Sequence, residues 1–312
     1  MLDKKLSDLF SEISSRAALS SYYQIGKKDK IAADKAAVDS MRSELNKIDM
    51  NGRIVIGEGE LDEAPMLFIG EELGSKNGPS LDIAVDPLEG TNLVANNMPG
   101  GLSVIAIAEK NNLFGAPETY MDKISSNVSE IGVIDLDFSI KKNIHNLSEY
   151  KNKKPEDLTV CILDRPRHKD IIDDLKKLKV NLKLISDGDV SGALLVTDKK
   201  YGVDLFLGIG GGPEGVLAAS ALDAFDCNFQ GRFLFDTESE KSRALKMGIK
   251  DFKKKYELKE IVTGDSIFCA TGITAGDITS GIEIIDNEFI SETLITHKSL
   301  GLRKIIKKKQ KI

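Results

Sequence analysis

The chain has 312 residues, 41% of them hydrophobic, which is enough for two subdomains or one large layered unit with a sizeable core. Its 49 acidic residues outnumber 43 Lys and Arg, and the resulting formal net charge of -6 argues against a nucleic-acid partner. No apolar run is long enough to span a bilayer and no apolar leader segment follows Met1, so the expectation is a cytoplasmic chain with no membrane partner.

In chain order, apolar residues at helical spacing (Leu6, Leu9, Phe10, Ile13, Ala17) predict a helix over residues 2–25. Ile31, Val38, Met41, Leu45 and Ile48 predict a second over 29–48, with Gly26 between them. Asn51-Gly52 is a turn signal, and residues 53–56 read as a short strand running into G-E-G-E. A helix is expected around 64–73, then strands over 81–85 and 102–108. The polar, lysine-rich stretch 141–157 has the composition of a linker or surface helix, and it suggests a boundary between subdomains 1–150 and 151–312.

Beyond it the pattern alternates. Strand 158–163, helix 170–178, strand 181–185, helix 190–197, strand 203–209 and helix 215–225 follow one another, with a further strand at 267–270. Such alternation predicts an α/β fold. The basic run 303–311 reads as a solvated, frayed tail. Cys161, Cys227 and Cys269 lie far apart in apolar contexts and read as buried reduced thiols.

Polar chemistry collects at the strand ends. Gly57 to Glu60, Asp86 to Glu89, Asp164 to Arg167, Asp187 to Asp189 and Gly210 to Gly215 each follow an apolar strand-like run. Ligands of open α/β sheets bind outside the carboxyl ends of strands. The three histidines, His145, His168 and His297, have no ligand-like spacing, which disfavours a His or Cys zinc site. The acids Asp34, Glu58, Asp86, Glu89 and Glu214 suit a hard cation that keeps waters and shares phosphate oxygens, Mg²⁺ or Mn²⁺.

Most of these features have a plainer reading beside the functional one. Asp86-Pro87-Leu88-Glu89-Gly90 is either a metal-bearing strand end or an ordinary turn with capping acids. Arg165-Pro166-Arg167 either grips a phosphate with two guanidinium forks or forms surface ion pairs. Lys30 and Asp34 share a helix face, as a solvated pair would. Asp187-Gly188-Asp189 either receives sugar hydroxyls or caps the next helix. Gly210, Gly212 and Gly215 match the dinucleotide pattern G-x-G-x-x-G. That reading is rejected, because Glu214 at the helix start would repel a pyrophosphate, whereas a carboxylate there is stabilised and could bind a metal.

Taken together, I-G-E-G-E-L-D-E-A-P-M-L, D-I-A-V-D-P-L-E-G-T, A-P-E-T-Y-M, D-R-P-R-H, S-D-G-D-V, G-I-G-G-G-P-E-G-V and F-C-A-T-G-I-T resemble the class II fructose-1,6-bisphosphatases (GlpX type) of the lithium-sensitive phosphatase superfamily. The resemblance implies a layered α/β/α/β/α sugar-phosphatase sandwich and hydrolysis of the 1-phosphate of fructose 1,6-bisphosphate, a gluconeogenic step. It implies Asp34 and Glu58 as ligands of one metal and Asp86, Glu89 and Glu214 as ligands of a second. Thr91, Glu58 and Asp86 are the expected catalytic residues. Substrate contacts are expected at Lys30, Glu89, Gly90, Thr91, Tyr120, Arg165, Pro166, Arg167, Asp187, Gly188, Asp189 and Gly211. The N-terminal subdomain would then bind metal and phosphate and the C-terminal one substrate, in a homodimer or homotetramer.

The superfamily more often has Asp where this chain has Glu89, and the stretch 92–101 follows the family pattern less closely than its flanks. Sedoheptulose 1,7-bisphosphate or an inositol phosphate is the rival substrate. A sugar-phosphate sensor is the non-catalytic rival, which the full acid set plus Thr91 disfavours.

Overall fold

The computed structural model describes residues 2–59 and 66–312. Its elements run α1 (Lys4–Tyr22), α2 (Lys30–Leu45), β1 (Asn51–Ile56), β2 (Glu72–Leu73), β3 (Ser80–Glu89), α3 (Thr91–Ala95), β4 (Leu102–Glu109), β5 (Tyr120–Ser126) and α4 (Ile140–Lys151). They continue with β6 (Thr159–Leu163), α5 (Lys169–Lys177), β7 (Asn181–Ile185), α6 (Asp189–Leu194), β8 (Leu205–Gly211), α7 (Gly212–Ala224), β9 (Asn228–Leu234), α8 (Glu238–Lys246), β10 (Lys255–Glu257) and α9 (Leu258–Ile261). The last strands are β11 (Ser266–Gly272), β12 (Glu283–Ile285), β13 (Glu288–His297) and β14 (Leu302–Lys311).

The chain forms two compact units, Met1–Gly115 with Val262–Ile312, and Ala116–Ile261. The division thus falls at two chain crossings, whereas the sequence reading places one boundary at 150. The lysine-rich stretch that suggested it is mostly α4, whose Ile144 and Leu147 are buried in the second unit's core. Exposed lysines on one helix face imitate a linker in composition while the other face holds the helix down.

In the first unit, the described strands form a sheet ordered β12-β13-β11-β4-β3-β1-β2, with β14 paired to β13. Helices α1 and α2 pack on one face. Phe10, Ile13 and Ala17 of α1 and Ala33, Ala37 and Met41 of α2 meet Leu81, Ile83, Val85, Ile105, Ile107 and Cys269 there. Asp3 and Asp29 cap the two helices, accepting from the backbone N–H of Leu6 at 2.8 Å and of Ala32 at 2.9 Å.

Two expectations fail here. Residues 66–73 hold turns and the short β2, not a helix, and 64–65 lie outside the described residues. The basic run at the end is strand β14, paired with β13 from Leu302 to Lys311, with Leu302 and Ile306 packed on the core. Two-residue alternation of Leu302, Ile306 and intervening lysines is an edge-strand pattern, in which lysine blocks further pairing.

The second unit's sheet is ordered β10-β9-β5-β8-β6-β7. β6 is parallel to β7 and β8, β5 runs against this direction, and β9, antiparallel to β5, runs with it. α4 and α5 bury Ile144, Leu147 and Leu175 against Ile124, Val160, Leu205 and Leu207. Gly215 of α7 lies close to the side chains of Met121 and Lys123, so α7 covers the opposite face. Each unit sets helices against a mixed sheet, which is the α/β class read from the sequence. Cys161, Cys227 and Cys269 are buried free thiols, as expected. Among the described residues no helix is long and apolar enough to cross a membrane.

Candidate active site

The first unit gathers four predicted site segments at one end of its sheet. β1 and β3 are parallel, so Glu58, just past β1, and Asp86, near the end of β3, leave the sheet at the same edge. The register of β3 on β4 passes from Asp86 opposite Val104 to Glu89 opposite Leu102. Three steps on one strand match two on the other, which is a β-bulge. Pro87 sits in it, where a missing N–H costs least. The bulge cancels the parity of the spacing, and Asp86 and Glu89 therefore face the same side, opposite the helices, while Val85 and Leu88 join the helix-side core.

Gly90 follows with φ 77°, and a Cβ there would lie 2.9 Å from Leu93 Cδ1. The glycine is thus demanded by a left-handed residue packed on the first turn of α3. Thr91 opens α3 half-buried, its Oγ1 donating to Leu88 O at 3.1 Å. The loop leading into α2 is tied to α3, with Gly26 N donating to Val94 O at 3.0 Å and Lys28 N to Ala95 O at 2.8 Å. These bonds bring the start of α2, with exposed Lys30 and half-buried Asp34, beside the helix that Thr91 begins. Burial raises the Asp34 carboxyl above its ordinary pKa. The i,i+4 ion pair of this helix joins Lys35 to Asp39 at 2.9 Å.

Among the described residues of this unit, no three acidic, histidine or cysteine side chains close around one ion-sized space. The donor set still fits a small hard cation. Mg²⁺ is commonly held through one or two carboxylates plus waters and substrate phosphates, and the Asp86–Glu89 face offers two carboxylates.

The second unit gathers its predicted residues at one sheet edge as well. Because β6, β7 and β8 are parallel, Arg165–Arg167, Asp187–Asp189 and Gly211–Glu214 all follow carboxyl ends at one edge. β5 runs the other way, so Tyr120 at its start pairs with Gly211 at the end of β8. Arg165 Nη2 lies 3.6 Å from Asp187 Oδ1. Arg167 donates from Nε to Ile209 O at 2.9 Å, and its guanidinium stacks 4.8 Å over the exposed Tyr120 ring. Pro166 begins a short 3₁₀ turn that lets the two arginines leave the strand end separately.

Among them lies one residue that the sequence reading missed, Lys123, joined to the expected Asp189 and Gly211. Lys123 of β5 is 1% exposed, is ion-paired with Asp189 Oδ2, and donates to Gly211 O at 2.7 Å. Glu214, in the first turn of α7, has its pKa raised by burial and by the nearby Asp189 charge, with Lys123 pulling the other way. The glycine run answers to this cluster. A Cβ on Gly210 would fall 1.7 Å from Asp189 Oδ2, and one on Gly211 1.8 Å from Glu214 Oε2. Charged side chains, not a pyrophosphate, occupy the space those glycines open.

His168, also outside the predicted site, is buried. Ile209 N donates to its Nε2 at 2.8 Å, so Nδ1 carries the proton and donates to Leu163 O at 2.7 Å. Desolvation holds its pKa below the ordinary value. A neutral imidazole thus ties the ends of β6 and β8 together. A lysine in register with Met121 and Ser125, and a histidine closing D-R-P-R-H, were the available signals.

A sequence profile of the bacterial, glpX-encoded fructose-1,6-bisphosphatases matches residues 4–310. The chain is 40% identical over 319 aligned residues to a D-fructose 1,6-bisphosphatase class 2/sedoheptulose 1,7-bisphosphatase of Synechococcus sp. (strain JA-3-3Ab), covering 94% of this chain and 92% of that one. It is 39% identical over the same shares to a protein of the same name from Synechocystis sp. (strain ATCC 27184 / PCC 6803 / Kazusa). Among solved structures, the extragenic suppressor protein suhB from Bartonella henselae is similar at TM-score 0.37 and 14% identity, over 63% of this chain and 73% of that one. The profile match and the identity to these relatives over nearly the whole length show that the chain belongs to the family of glpX-encoded bacterial fructose-1,6-bisphosphatases.

Proposed function

We propose that the protein hydrolyses the 1-phosphate of fructose 1,6-bisphosphate to fructose 6-phosphate and phosphate, as a cytoplasmic step of gluconeogenesis, with Mn²⁺ or Mg²⁺ as cofactor. Beyond family membership, the reading rests on one observation above all: the bulge that turns Asp86 and Glu89 to the same face, immediately before Gly90 and the Thr91 hydroxyl.

Asp34, Glu58, Asp86, Glu89 and Glu214 would serve as metal ligands, following the family resemblance. A bound divalent ion would neutralise phosphoryl charge and make water a better nucleophile. The chain's own groups do the rest. Gly90 and Thr91 receive the phosphoryl oxygens at a helix start, and Thr91 Oγ1 orients the attacking water. We favour water over Thr91 as nucleophile, since an unassisted threonine hydroxyl is weak. Arg165, Arg167 and Tyr120 hold the far phosphate, and Lys30 contributes positive charge at the start of α2. Asp187 and Asp189 accept sugar hydroxyls beside Gly188 and Gly211.

The names of the curated relatives favour a second substrate of the same chemistry, sedoheptulose 1,7-bisphosphate. We also propose a homodimer or homotetramer, following the family resemblance. The test is phosphate release from a panel of sugar bisphosphates and inositol phosphates with Mg²⁺, with Mn²⁺ and with EDTA. Release from fructose 1,6-bisphosphate that EDTA abolishes is expected. Release from none of the panel would defeat the phosphatase reading, and undiminished release in EDTA would defeat the metal.

A further inference from the structure

We propose that Lys123 is a positioning residue for substrate recognition, holding the Asp189 carboxylate and the Gly211 carbonyl in the arrangement that receives the sugar. The inference rests on the reading of Asp189 and Gly211 as substrate contacts. Lys123 is not among the residues assigned to metal or substrate, and nothing in the reaction requires it directly.

Its surroundings show what it does. An ammonium buried to 1% exposure is costly unless its partners are fixed. Here the partners are Asp189 Oδ2, at the start of α6, and Gly211 O, at the end of β8. One side chain on β5 thereby joins the three elements whose ends meet at the second unit's candidate site. The residues around it make room for it. A Cβ on Gly210 would come within 3.0 Å of Lys123 Nζ, and one on Gly215 within 3.3 Å of its Cδ.

A buried ion pair is weak as a stabilising device, because an apolar pair of the same volume serves as well or better. Its value at this position is orientation. Asp189 is 8% exposed and stands in the field of Glu214, so without a cation beneath it two carboxylates would compete for one small space. With Oδ2 held by Lys123, Oδ1 is the oxygen that receives a sugar hydroxyl. The same ammonium fixes the last carbonyl of β8, so the Gly211 backbone meets the substrate in one conformation. Sugar bisphosphates should feel the loss of Lys123 as weaker binding rather than as failed chemistry.

The experiment is a double-mutant cycle on the full-length protein with Lys123→Met, Asp189→Asn and the pair, following KM and kcat for fructose 1,6-bisphosphate. Lys123→Met is expected to raise KM by about tenfold and to change kcat much less. In the Asp189→Asn background the same change should move KM by less than about twofold, because the group it positions is gone. If Lys123→Met does not fold, the neutral pair is compared with Asp189→Asn alone, and equal KM values support the inference. A KM for folded Lys123→Met within about twofold of the parent, or effects that simply add, would overturn it. A merely structural lysine would lower Tm without this coupling in KM. A parent protein that releases phosphate from no sugar bisphosphate would sink the functional reading first, and this inference with it.

Discussion

Asp86 and Glu89 share one face of β3, although residues three apart on an unbroken strand point to opposite sides. The bulge at Pro87-Leu88 is what joins them, so the two carboxylates act as one feature of the sheet. Asp86→Asn and Glu89→Gln should each lower kcat/KM by roughly 10²-fold or more, by analogy with loss of one charge-stabilising group. Calorimetric titration with Mn²⁺ alone should show weakened or lost binding in both. Full metal affinity in both variants would remove the pair from the metal site.

Thr91 is placed by its own backbone turn, donating to Leu88 O at 3.1 Å. Thr91→Ser keeps this hydroxyl and should keep most activity. Thr91→Ala should lower kcat by roughly 10²-fold while the Tm stays near the parent value. Full activity in Thr91→Ala would remove the hydroxyl from the reaction. A phosphothreonine trapped at residue 91 in a quenched reaction, detected by mass spectrometry, would show that Thr91 attacks in place of water.

Arg167 is fixed twice, by Ile209 O and by the Tyr120 ring. Its planar fork is therefore presented in one orientation, and Arg167→Lys is not conservative there. Arg167→Ala should raise KM about tenfold or more with a smaller change in kcat. Tyr120→Phe keeps the stack and should be mild, whereas Tyr120→Ala should raise KM in the same direction as Arg167→Ala. Unchanged KM in Arg167→Ala, by steady-state phosphate release, would move the far phosphate elsewhere.

The last strand offers a stability test. Leu302 and Ile306 pack on the first unit's core, and β14 pairs with β13 along ten residues. Ending the chain at residue 300 should lower Tm by about 5 °C or more, from lost apolar burial and an opened sheet edge. An unchanged Tm by differential scanning calorimetry would mean that the strand adds nothing to stability.

The same strand shows where sequence reading stops. Long apolar runs, such as 81–85 and 102–108, are legible because burial on both faces leaves no other reading. Asp86, Glu89, Arg165 and Asp187 were legible as strand-end residues for the same reason. β14 was not, since its inward positions are few and its lysines dominate the composition. Nor was the division into units, because β11 to β14 return to the first sheet from far along the chain, and pairing at that separation leaves no local mark. Lys123 was missed because residues 120–126, with Asp122, Lys123 and two serines, form no apolar run and no strand was expected there, and only its partners Asp189 and Gly211 show its burial.

His168 makes a pH prediction with a definite sign. Folded, it is neutral, with Nε2 accepting from Ile209 N and Nδ1 donating to Leu163 O, and desolvation keeps its pKa below the ordinary value. Unfolded, it takes a proton near pH ~6.5. Below that pH the unfolded chain binds a proton the folded one does not, so folding stability falls as pH drops, until the folded imidazole protonates too. Other buried carboxyls titrate in the acid range, so the informative quantity is a difference. His168→Gln cannot titrate, and the Tm advantage of the parent over it should shrink as pH falls from 7 to 5. Parallel Tm–pH curves for the two proteins would show that folding leaves the pKa of this histidine unshifted, contrary to its burial and to the bond from Ile209.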